Sequence, residues 1–180
     1  MRPLTPLVLC ALLAPDPALA RDTRFGLAAG LLVPLELRVD GREPEAEPGP
    51  LLMITFDHNV DPVVDVGFFI SAGSITAETR DEQVNLIEFG LGAHYRWSLG
   101  SGGLLRLGGG VGYRRLFADA SLYDRVEGVA IDADAEYSHA LGGGLVGQVE
   151  IGVLSQPWGG NGTTTVVFAP IPYLTVGAVF

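Results

Sequence analysis

The stretch NLIEFGLGAHYRW, residues 85–97, alternates between two kinds of side chain. Its odd positions are mostly apolar and end in the aromatic pair Tyr95 and Trp97. After Leu86, its even positions carry only glycine or a charged or polar group. Because successive side chains of a β-strand point to opposite faces, this period of two predicts a strand with one apolar face.

The same alternation recurs along much of the chain. The other stretches that show it are residues 25–39, 52–57, 64–73, 105–114, 133–155 and 173–180. Residues 133–155 keep a single phase, and we divide them at Gly142-Gly143-Gly144 so that the chain has eight strands. An even number of strands is typical of bacterial single-chain barrels, because it places both ends of the chain on the same side.

The polar faces of these strands are unusual for a soluble protein. They consist mainly of glycine with isolated charges, and glycine inside a strand suggests close packing. Such a face fits the crowded interior of a narrow barrel. A face of Leu, Val, Phe and Ile that ends in Tyr or Trp fits a lipid-facing surface with an aromatic girdle. The sequence therefore predicts an all-β fold, an eight-stranded antiparallel up-and-down transmembrane β-barrel.

Long polar connections alternate with short turns. The long connections are predicted at residues 40–50, 79–83, 120–132 and 156–163, and the short turns at residues 59–62 and 98–103. This alternation is typical of an outer-membrane barrel. No stretch after the first twenty residues holds 18 uncharged apolar positions, so the sequence predicts no transmembrane helix.

The N-terminus has the form of a secretory signal peptide. Arg2 precedes a short apolar stretch at residues 4–13, and Ala18-Leu19-Ala20 has the small–x–small form of a cleavage site. We predict a signal peptide at residues 1–20 and a barrel domain at residues 21–180. The single cysteine, Cys10, would leave with the signal, so we expect no disulfide and no cysteine metal site in the barrel.

A signal peptide, turn-joined strands with outward apolar faces and a terminal Phe180 resemble the small outer-membrane β-barrels of the OmpA-transmembrane and OmpW-like kind. The resemblance covers nearly the whole of residues 21–180 and implies an architecture rather than an activity. It implies a location in the outer membrane, contact with outer-membrane lipid, and a last strand that closes the barrel on the first. It also implies that Leu174, Val176 and Phe180 belong to the signal that the outer-membrane assembly machinery reads.

Two prolines precede this last strand. Pro170 and Pro172 have no backbone N–H to donate to a strand ladder. We therefore expect the paired segment to start near Tyr173, which makes it short for a full crossing of the membrane.

Charged residues on the inward faces form the candidate site of the predicted barrel. They are Glu36, Arg38, Asp65, Glu88, Arg96, Arg106, Arg114, Glu136 and Glu150. A charge away from water is costly unless it is paired, so these groups must be paired or wet. Eight strands leave an interior just wide enough for side chains to fill, which favours a salt-bridged plug. The alternative is a narrow polar pathway for ions or small solutes.

The remaining motifs favour no cofactor, metal or catalytic site. His58, His94 and His139 lack the spacing of metal ligands. The glycines of residues 108–112 precede neither a Lys-Ser/Thr pair nor a helix, so they do not match a phosphate loop. Ser138 and His139 are neighbours and would face opposite sides of a strand. The net charge of −10 argues against a nucleic-acid partner.

These observations predict a non-enzymatic protein with a structural or surface-interaction role, whose loops meet partners that the sequence does not identify. The first alternative is the narrow pore. The second alternative is a secreted soluble β-barrel, in which the apolar faces point inward and hold an apolar ligand.

Overall fold

The computed structural model describes residues 22–34, 37–39, 46–77, 82–100, 102–118, 126–162 and 165–180. For residues 37–39, 77, 82, 118, 168 and 169 it describes the backbone alone. The predicted signal peptide, residues 1–20, lies outside the described residues and stays a prediction. Within the described ranges, no helix is long and apolar enough to cross a membrane.

Ten strands are described, and eight of them form a ring. The strands are β1 (Thr23–Leu32), β2 (Leu37–Val39), β3 (Ala46–Glu47), β4 (Gly49–Asp61), β5 (Val64–Ala77), β6 (Glu82–Gly100), β7 (Gly103–Ala118), β8 (Val126–Gly142), β9 (Leu145–Gly160) and β10 (Val166–Val179). Apart from the short β2 and β3, each strand pairs antiparallel with the next along the chain, and β10 pairs with β1. The predicted eight-stranded antiparallel barrel is confirmed.

The first and last strands close the ring. Their register runs from the pair Gly26 and Val179 to the pair Leu32 and Tyr173. Beyond it, Phe180 N donates to Phe25 O at 2.9 Å, and Phe25 N donates to Phe180 O at 3.2 Å. Closure matters because a backbone group without a partner is very costly in lipid, where no water replaces the missing hydrogen bond.

Apolar side chains form a belt around the outside of the ring. Every ring strand contributes an exposed apolar residue to it, namely Leu27, Leu52, Phe68, Leu91, Val111, Ile131, Ile151 and Val176 in chain order. Leu91 is 70% exposed. The soluble alternative requires these faces to point inward, and the structure places them outward. This belt is the surface that a barrel presents to lipid.

The two ends of the barrel differ. At the turn end, short turns join β4 to β5 at residues 62–63 and β8 to β9 at residues 143–144, and β7 begins at Gly103 soon after β6 ends at Gly100. Gly143 and Gly144 have φ values of 63° and 82°, a left-handed backbone that glycine adopts without strain. The division of residues 133–155 at this point is confirmed. The opposite end, the loop end, carries the connections whose residues are only partly described.

The strands run further toward the loop end than the sequence predicted. β8 begins at Val126, inside the connection predicted at residues 120–132, and β9 continues to Gly160, through most of the one predicted at residues 156–163. β6 and β4 likewise begin inside the predicted connections, at Glu82 and Gly49. In β6 the hydrogen-bonded ladder continues past the apolar belt, where the outward residues Gln83 and Asn85 are polar. In β8 the outward residues Val129 and Ile131 are apolar, but the inward residues Val126 and Ala130 are apolar too, so the two faces no longer differ. The apolar alternation therefore ends before the strand does.

The predicted first strand, residues 25–39, was also too long. β1 ends at Leu32, and Leu37–Val39 forms the separate β2, which pairs with β10. Pro34 lies between them and has no N–H to donate to a ladder. The turn predicted at residues 59–62 lies slightly later, because β4 continues to Asp61, whose Oδ1 accepts a hydrogen bond from Val63 N at 2.7 Å.

The last strand begins earlier than predicted. β10 starts at Val166, not near Tyr173, and it includes both Pro170 and Pro172. Its register against β9 shifts between Phe168 and Ile171. Pro170 lies within this irregularity, where the ladder is already interrupted, whereas Pro172 lies in regular register opposite Val153.

The inward faces are polar in only part of the barrel. Toward the loop end they carry a buried apolar cluster, which we call the apolar cap. Its members are Ala28, Leu32, Leu51, Met53, Ile75, Leu86, Leu116, Val126, Leu154, Val166, Ile171 and Tyr173. A smaller apolar cluster of Leu104, Val146 and Val179 lies near the turn end. Most of the buried charges lie between these two clusters.

Candidate functional site: the barrel lumen

Seven of the nine charges predicted to face the lumen have described side chains, and all seven are buried. They are Asp65 on β5, Glu88 and Arg96 on β6, Arg106 and Arg114 on β7, Glu136 on β8 and Glu150 on β9. Glu36 and the side chain of Arg38 lie outside the described part of the chain. Each strand presents these groups inward because they alternate with the residues of the apolar belt.

Six residues near the turn end form one connected group, which we call the arginine network. Its members are Arg24, Arg96, Arg106, Asp57, Asp65 and Glu136. Arg106 is its centre, because its nitrogens lie 2.7 Å from Glu136 Oε2, 2.9 Å from Asp57 Oδ2 and 3.0 Å from Asp65 Oδ2. Three arginines face three carboxylates, so the network is neutral as a whole.

Arg24 links the first strand to the far wall of the barrel. Its Nη2 donates to Glu136 Oε1 at 2.8 Å and to Ser138 Oγ at 3.0 Å. Ser138 Oγ in turn donates to Glu136 Oε1. These contacts span the lumen between β1 and β8, which are not neighbours in the ring. The network therefore connects opposite walls and does not merely line one of them.

Asp65 separates two like charges. Arg96 and Arg106 are register partners on β6 and β7, a placement that would bring two guanidinium groups together. Asp65 Oδ1 lies 3.3 Å from Arg96 and Asp65 Oδ2 lies 3.0 Å from Arg106. One carboxylate between two arginines offsets their repulsion, and it is nearly fully buried at 1% exposure.

A second ion pair lies nearer the apolar cap. Arg114 donates to Glu88 Oε2 from Nε at 2.9 Å and from Nη2 at 2.6 Å. The two residues are register partners on β7 and β6, and both are fully buried. Two guanidinium N–H groups on a single carboxylate oxygen fix the arginine firmly, but they leave Glu88 Oε1 without a hydrogen bond among the described residues.

Three further carboxylates in the lumen have no described arginine partner. Asp134 Oδ2 lies 3.1 Å from His94 Nε2. Arg106 donates to His94 Nδ1 at 3.1 Å, which leaves His94 Nε2 to donate to Asp134. Glu150 Oε1 accepts a hydrogen bond of 2.6 Å from the Tyr173 hydroxyl. The third carboxylate is Asp132 on β8, which is buried as well.

Glycines make room for aromatic rings inside the lumen. A β-carbon added at Gly90 or Gly110 would fall on the ring of Phe69, which is itself buried. A β-carbon at Gly152 would likewise meet the ring of Tyr173. The glycine-rich inward faces are therefore closely packed, as their composition predicts. An aromatic side chain from one strand lies over the glycine backbone of a neighbouring strand.

Sequence reasoning missed part of the lumen charge. Arg24 is one residue before the stretch in which the alternation was recognised, although it has the inward phase. Asp57 and His94 lay on recognised inward faces and were not counted as site residues. Asp132 was assigned to a connection, and Asp134 shares its phase. Strand phase alone finds Asp57, His94 and Asp134, which lie inside the recognised stretches, and the same phase extended beyond those stretches finds Arg24 and Asp132.

The histidines do not come together. His58 and His139 are exposed, and their described hydrogen bonds are to Thr23 at 3.4 Å and Tyr137 at 3.3 Å, whereas His94 lies inside the barrel. Within the described ranges, no group of three or more His, Cys, Asp or Glu is arranged to hold a metal ion. Ser138 is buried and His139 exposed, so the two side chains lie on opposite sides of β8.

A closed antiparallel ring of eight strands, with an apolar belt outside and paired charges inside, is the fold of a small transmembrane β-barrel. Solved structures with this fold include Neisserial surface protein A, with a TM-score of 0.62, 13% identity and coverage of 87% of this chain and 94% of that one. The outer-membrane protein OprG from Pseudomonas aeruginosa has a TM-score of 0.59 and 13% identity, over 89% of this chain and 97% of that one.

A third similar structure is Ail, the attachment invasion locus protein of Yersinia pestis, with a TM-score of 0.51 and 11% identity over 89% of this chain and all of that one. No protein-family model and no curated protein matches the sequence. At these low identities the comparisons show that the chain has the fold of small outer-membrane β-barrels.

Proposed function

We propose that this protein is an outer-membrane β-barrel whose lumen is filled by its own side chains. We propose further that the barrel holds the segments at its loop end at the cell surface. The observation that carries the proposal is the filled lumen. The arginine network and the apolar cap lie one above the other across the barrel. Arg106 is 2% exposed, Glu88 is fully buried, and so is Leu32 in the cap.

Three observations support the outer membrane as its location. The outer belt is apolar on all eight ring strands. Similar folds occur in known outer-membrane proteins. A closed ring satisfies the backbone hydrogen bonds that a lipid environment leaves no water to make. Outer-membrane lipid and the assembly machinery are therefore its proposed partners. Leu174 and Val176, two residues of the proposed assembly signal, point outward on β10, and Phe180 is exposed beside them.

A filled lumen favours a plug over a pore. A hydrated ion that entered the apolar cap would lose its water without gaining polar contacts. This loss costs on the order of several kcal/mol, as the burial of any unpaired charge does. In the next layer it would have to separate arginines from carboxylates that lie about 3 Å away. Both layers oppose conduction, so the structural role is preferred to the narrow pore.

Conductance across a planar lipid bilayer tests the closed barrel. We expect the purified protein to insert without a steady current above that of the bare bilayer. The variants Arg96→Gln, inside the lumen, and Arg115→Gln, on the outer face, serve as a matched pair. A steady wild-type current that Arg96→Gln changes and Arg115→Gln leaves alone would establish the pore in place of the plug.

The surface role rests on strands that are longer than a membrane requires. β6 has 19 residues, whereas about 9–11 residues cross a bilayer. Its outward face is apolar from Ile87 to Leu99 and polar at Asn85 and Gln83, toward the loop end. The wall of the barrel therefore continues past the apolar belt at that end, and it would raise the loop-end segments above the lipid headgroups.

Cysteine labelling tests this orientation. The natural sequence has one cysteine, Cys10, within the predicted signal peptide. Gln83→Cys and Ser98→Cys introduce single exposed cysteines near opposite ends of the same strand. In intact cells, a membrane-impermeant maleimide should label Gln83→Cys and spare Ser98→Cys, and lysis should expose both. Labelling of Ser98→Cys alone in intact cells would show the opposite orientation and refute the surface role.

A further inference from the structure

Trp158 lies on the outer face of β9, although its position in the strand predicts the inner face. Gln156, two residues earlier, is fully buried, whereas Trp158 is 67% exposed. The register against β8 explains the reversal, because it moves two residues, from Ile131 to Val129, while β9 advances three, from Ser155 to Trp158. The extra residue forms a β-bulge, which turns the side chain that follows it to the other face.

The side chain of Gln156 holds this bulge from inside the barrel. Its Nε2 donates a hydrogen bond to Val166 O on β10 at 3.1 Å. A β-carbon added at Gly128 or Gly159 would fall on the same amide group, so the amide occupies the inner face at this level. Bulges of this kind re-aim a side chain and are common beside functional sites. The outward Trp158 is therefore built into the strand.

A pair of opposite charges lies next to Trp158 on the outer face. Trp158 is the register partner of Val129 on β8, and Glu127 shares the outer face with Val129 because it is two residues away. Glu127 is opposite Arg115 on β7. On its other side Glu127 is opposite Gly160, so no side chain of β9 covers that flank. We call Arg115, Glu127 and Trp158 the outer patch.

The charged pair keeps hydrogen-bonding capacity for a ligand. Arg115 Nε lies 3.6 Å from Glu127 Oε1, which is longer than a hydrogen bond. Within the described ranges, Arg115 Nε has no hydrogen-bond partner. The two side chains are 33% and 44% exposed, and the ring of Phe117 lies 5.4 Å from the Arg115 guanidinium. The outer patch thus presents a donor and an acceptor side by side, next to an exposed indole ring.

The outer patch lies where the apolar belt ends at the loop end. Arg115 is opposite Ile87, the last apolar residue on the outer face of β6 in that direction. On β8, the exposed residues Val129 and Ile131 follow Glu127 toward the turn end. The patch is therefore continuous with the surface that faces lipid, and a lipid can contact the belt and the patch together.

The charge of the outer patch favours a neutral head group. Arg115 and Glu127 cancel, so this pair does not attract an anionic phosphate as an unpaired arginine would. A sugar has neighbouring hydroxyls that both donate and accept hydrogen bonds, which suits an arginine beside a glutamate. It also has an apolar ring face that can stack on an indole ring.

We propose that the outer patch binds the sugar head group of a glycolipid in the surrounding leaflet. A sugar ring lies on Trp158, its hydroxyls bind Arg115 and Glu127, and the acyl chains follow the belt along Val129 and Ile131. The inference rests on the proposed function, because it requires the loop end to lie in the leaflet that contains glycolipid.

The fluorescence of Trp158 tests the outer patch. The chain has two tryptophans, and Trp97→Phe removes the one near the turn end. The protein is refolded in dodecyldimethylamine oxide, a detergent without sugar, and a shift on unboiled gels shows that it is folded. We expect digalactosyl diacylglycerol, an uncharged glycolipid, to change the emission saturably. Phosphatidylglycerol with the same acyl chains should bind about tenfold more weakly, for lack of the sugar hydrogen bonds.

Two variants remove the hydrogen-bonding groups. Glu127→Ala and Arg115→Ala should each raise the Kd for the glycolipid about tenfold, the effect of losing one hydrogen bond to a charged group. Glu127→Ala also leaves Arg115 unopposed, so it should not weaken the binding of phosphatidylglycerol. Gln83→Ala, an exposed change near the loop end of β6, is the matched control and should bind as the parent does.

Three outcomes would overturn the glycolipid. They are an emission that does not saturate, equal affinity for the two lipids, and glycolipid binding that neither variant weakens. If one variant does not fold, the other decides, and wild-type emission from both tryptophans replaces Trp97→Phe if that variant does not fold. Wild-type protein without a shift on the gel would refute the barrel and the proposed function, whereas folded protein that does not bind refutes the outer patch alone.

Discussion

Arg106 shows how the lumen holds its charges. It contacts three carboxylates and a histidine, and each of those groups comes from a different strand. A buried ion pair is often no more stable than well-packed apolar residues of the same volume, so the network is weak evidence for high stability. Removing one partner is different, because it leaves the remaining carboxylates buried without a counter-charge.

The change Arg106→Met should therefore destabilise the barrel strongly. Met has a similar length but no charge, so Asp57, Asp65 and Glu136 would lose their central partner. We expect the free energy of unfolding to fall by about 3–5 kcal/mol, measured by urea unfolding in detergent micelles.

Arg115→Met is the matched control on the same strand. Arg115 lies on the outer side of β7, 33% exposed, with Glu127 at 3.6 Å. A partly exposed pair of this kind contributes about 0–1 kcal/mol, so this variant should unfold nearly as the wild type does. Equal losses in the two variants would contradict a special role for the arginine network.

The sequence predicted which charged residues face the lumen, but not which of them contact one another. A period of two assigns Glu88, Arg96 and Arg106 to the inward face without any knowledge of the fold. The contact between Arg24 and Glu136 joins residues 112 positions apart, across the barrel. Such a contact depends on strand register, stagger and the curvature of the whole ring, none of which an alternating pattern encodes.

At the scale of the strand, the apolar pattern predicted the lipid-crossing part of each element and little beyond it. The hairpin of β8 and β9 was found from three consecutive glycines, and its turn lies there. The ends near Val126 and Gly160 were missed although Val129, Ile131 and Trp158 are exposed there, because the inward residues Val126 and Ala130 are apolar as well and hide the alternation. The two prolines do not end the strand, since Pro170 lies where the register is irregular and Pro172 is paired in regular register with Val153.

The last strand carries a prediction about assembly. Phe180, the residue after β10, and Phe25 on β1 are backbone partners, and both residues are exposed on the outside of the barrel, at 53% and 44%. If Phe180 belongs to a signal for the assembly machinery, Phe180→Ala should reduce the folded protein in the outer membrane of growing cells severalfold. The amount is measured on unboiled gels of isolated membranes.

The variant Phe25→Ala distinguishes an assembly signal at Phe180 from a contribution of that side chain to packing alone. It removes the same ring beside the same strand pair, and it should assemble nearly normally in cells. Both variants should refold alike from urea in detergent, where no assembly machinery acts. If Phe25→Ala and Phe180→Ala lose assembly equally, the last residue acts only through packing and the assembly signal is refuted.

The whole molecule is organised in layers along the barrel axis. Paired charges fill the lumen toward the turn end, and the apolar cap fills it toward the loop end. The sequence predicted the charged residues in the lumen, but it did not predict the apolar cap. Leu32, Leu51 and Leu86 lie on inward faces that their neighbours marked as polar, so only the assembled ring shows that they converge. Together the two layers make the barrel a closed body with an apolar exterior.

That description is tested most directly by the electrophoretic mobility of the refolded chain. Residues 21–180 are refolded with and without detergent micelles, and boiled and unboiled samples are compared in SDS gels. The account predicts that the unboiled, detergent-refolded sample migrates differently from the boiled one, and that the sample without detergent aggregates. A chain that folds in plain buffer and shows no shift would mean that its apolar faces point inward, which would contradict the transmembrane barrel.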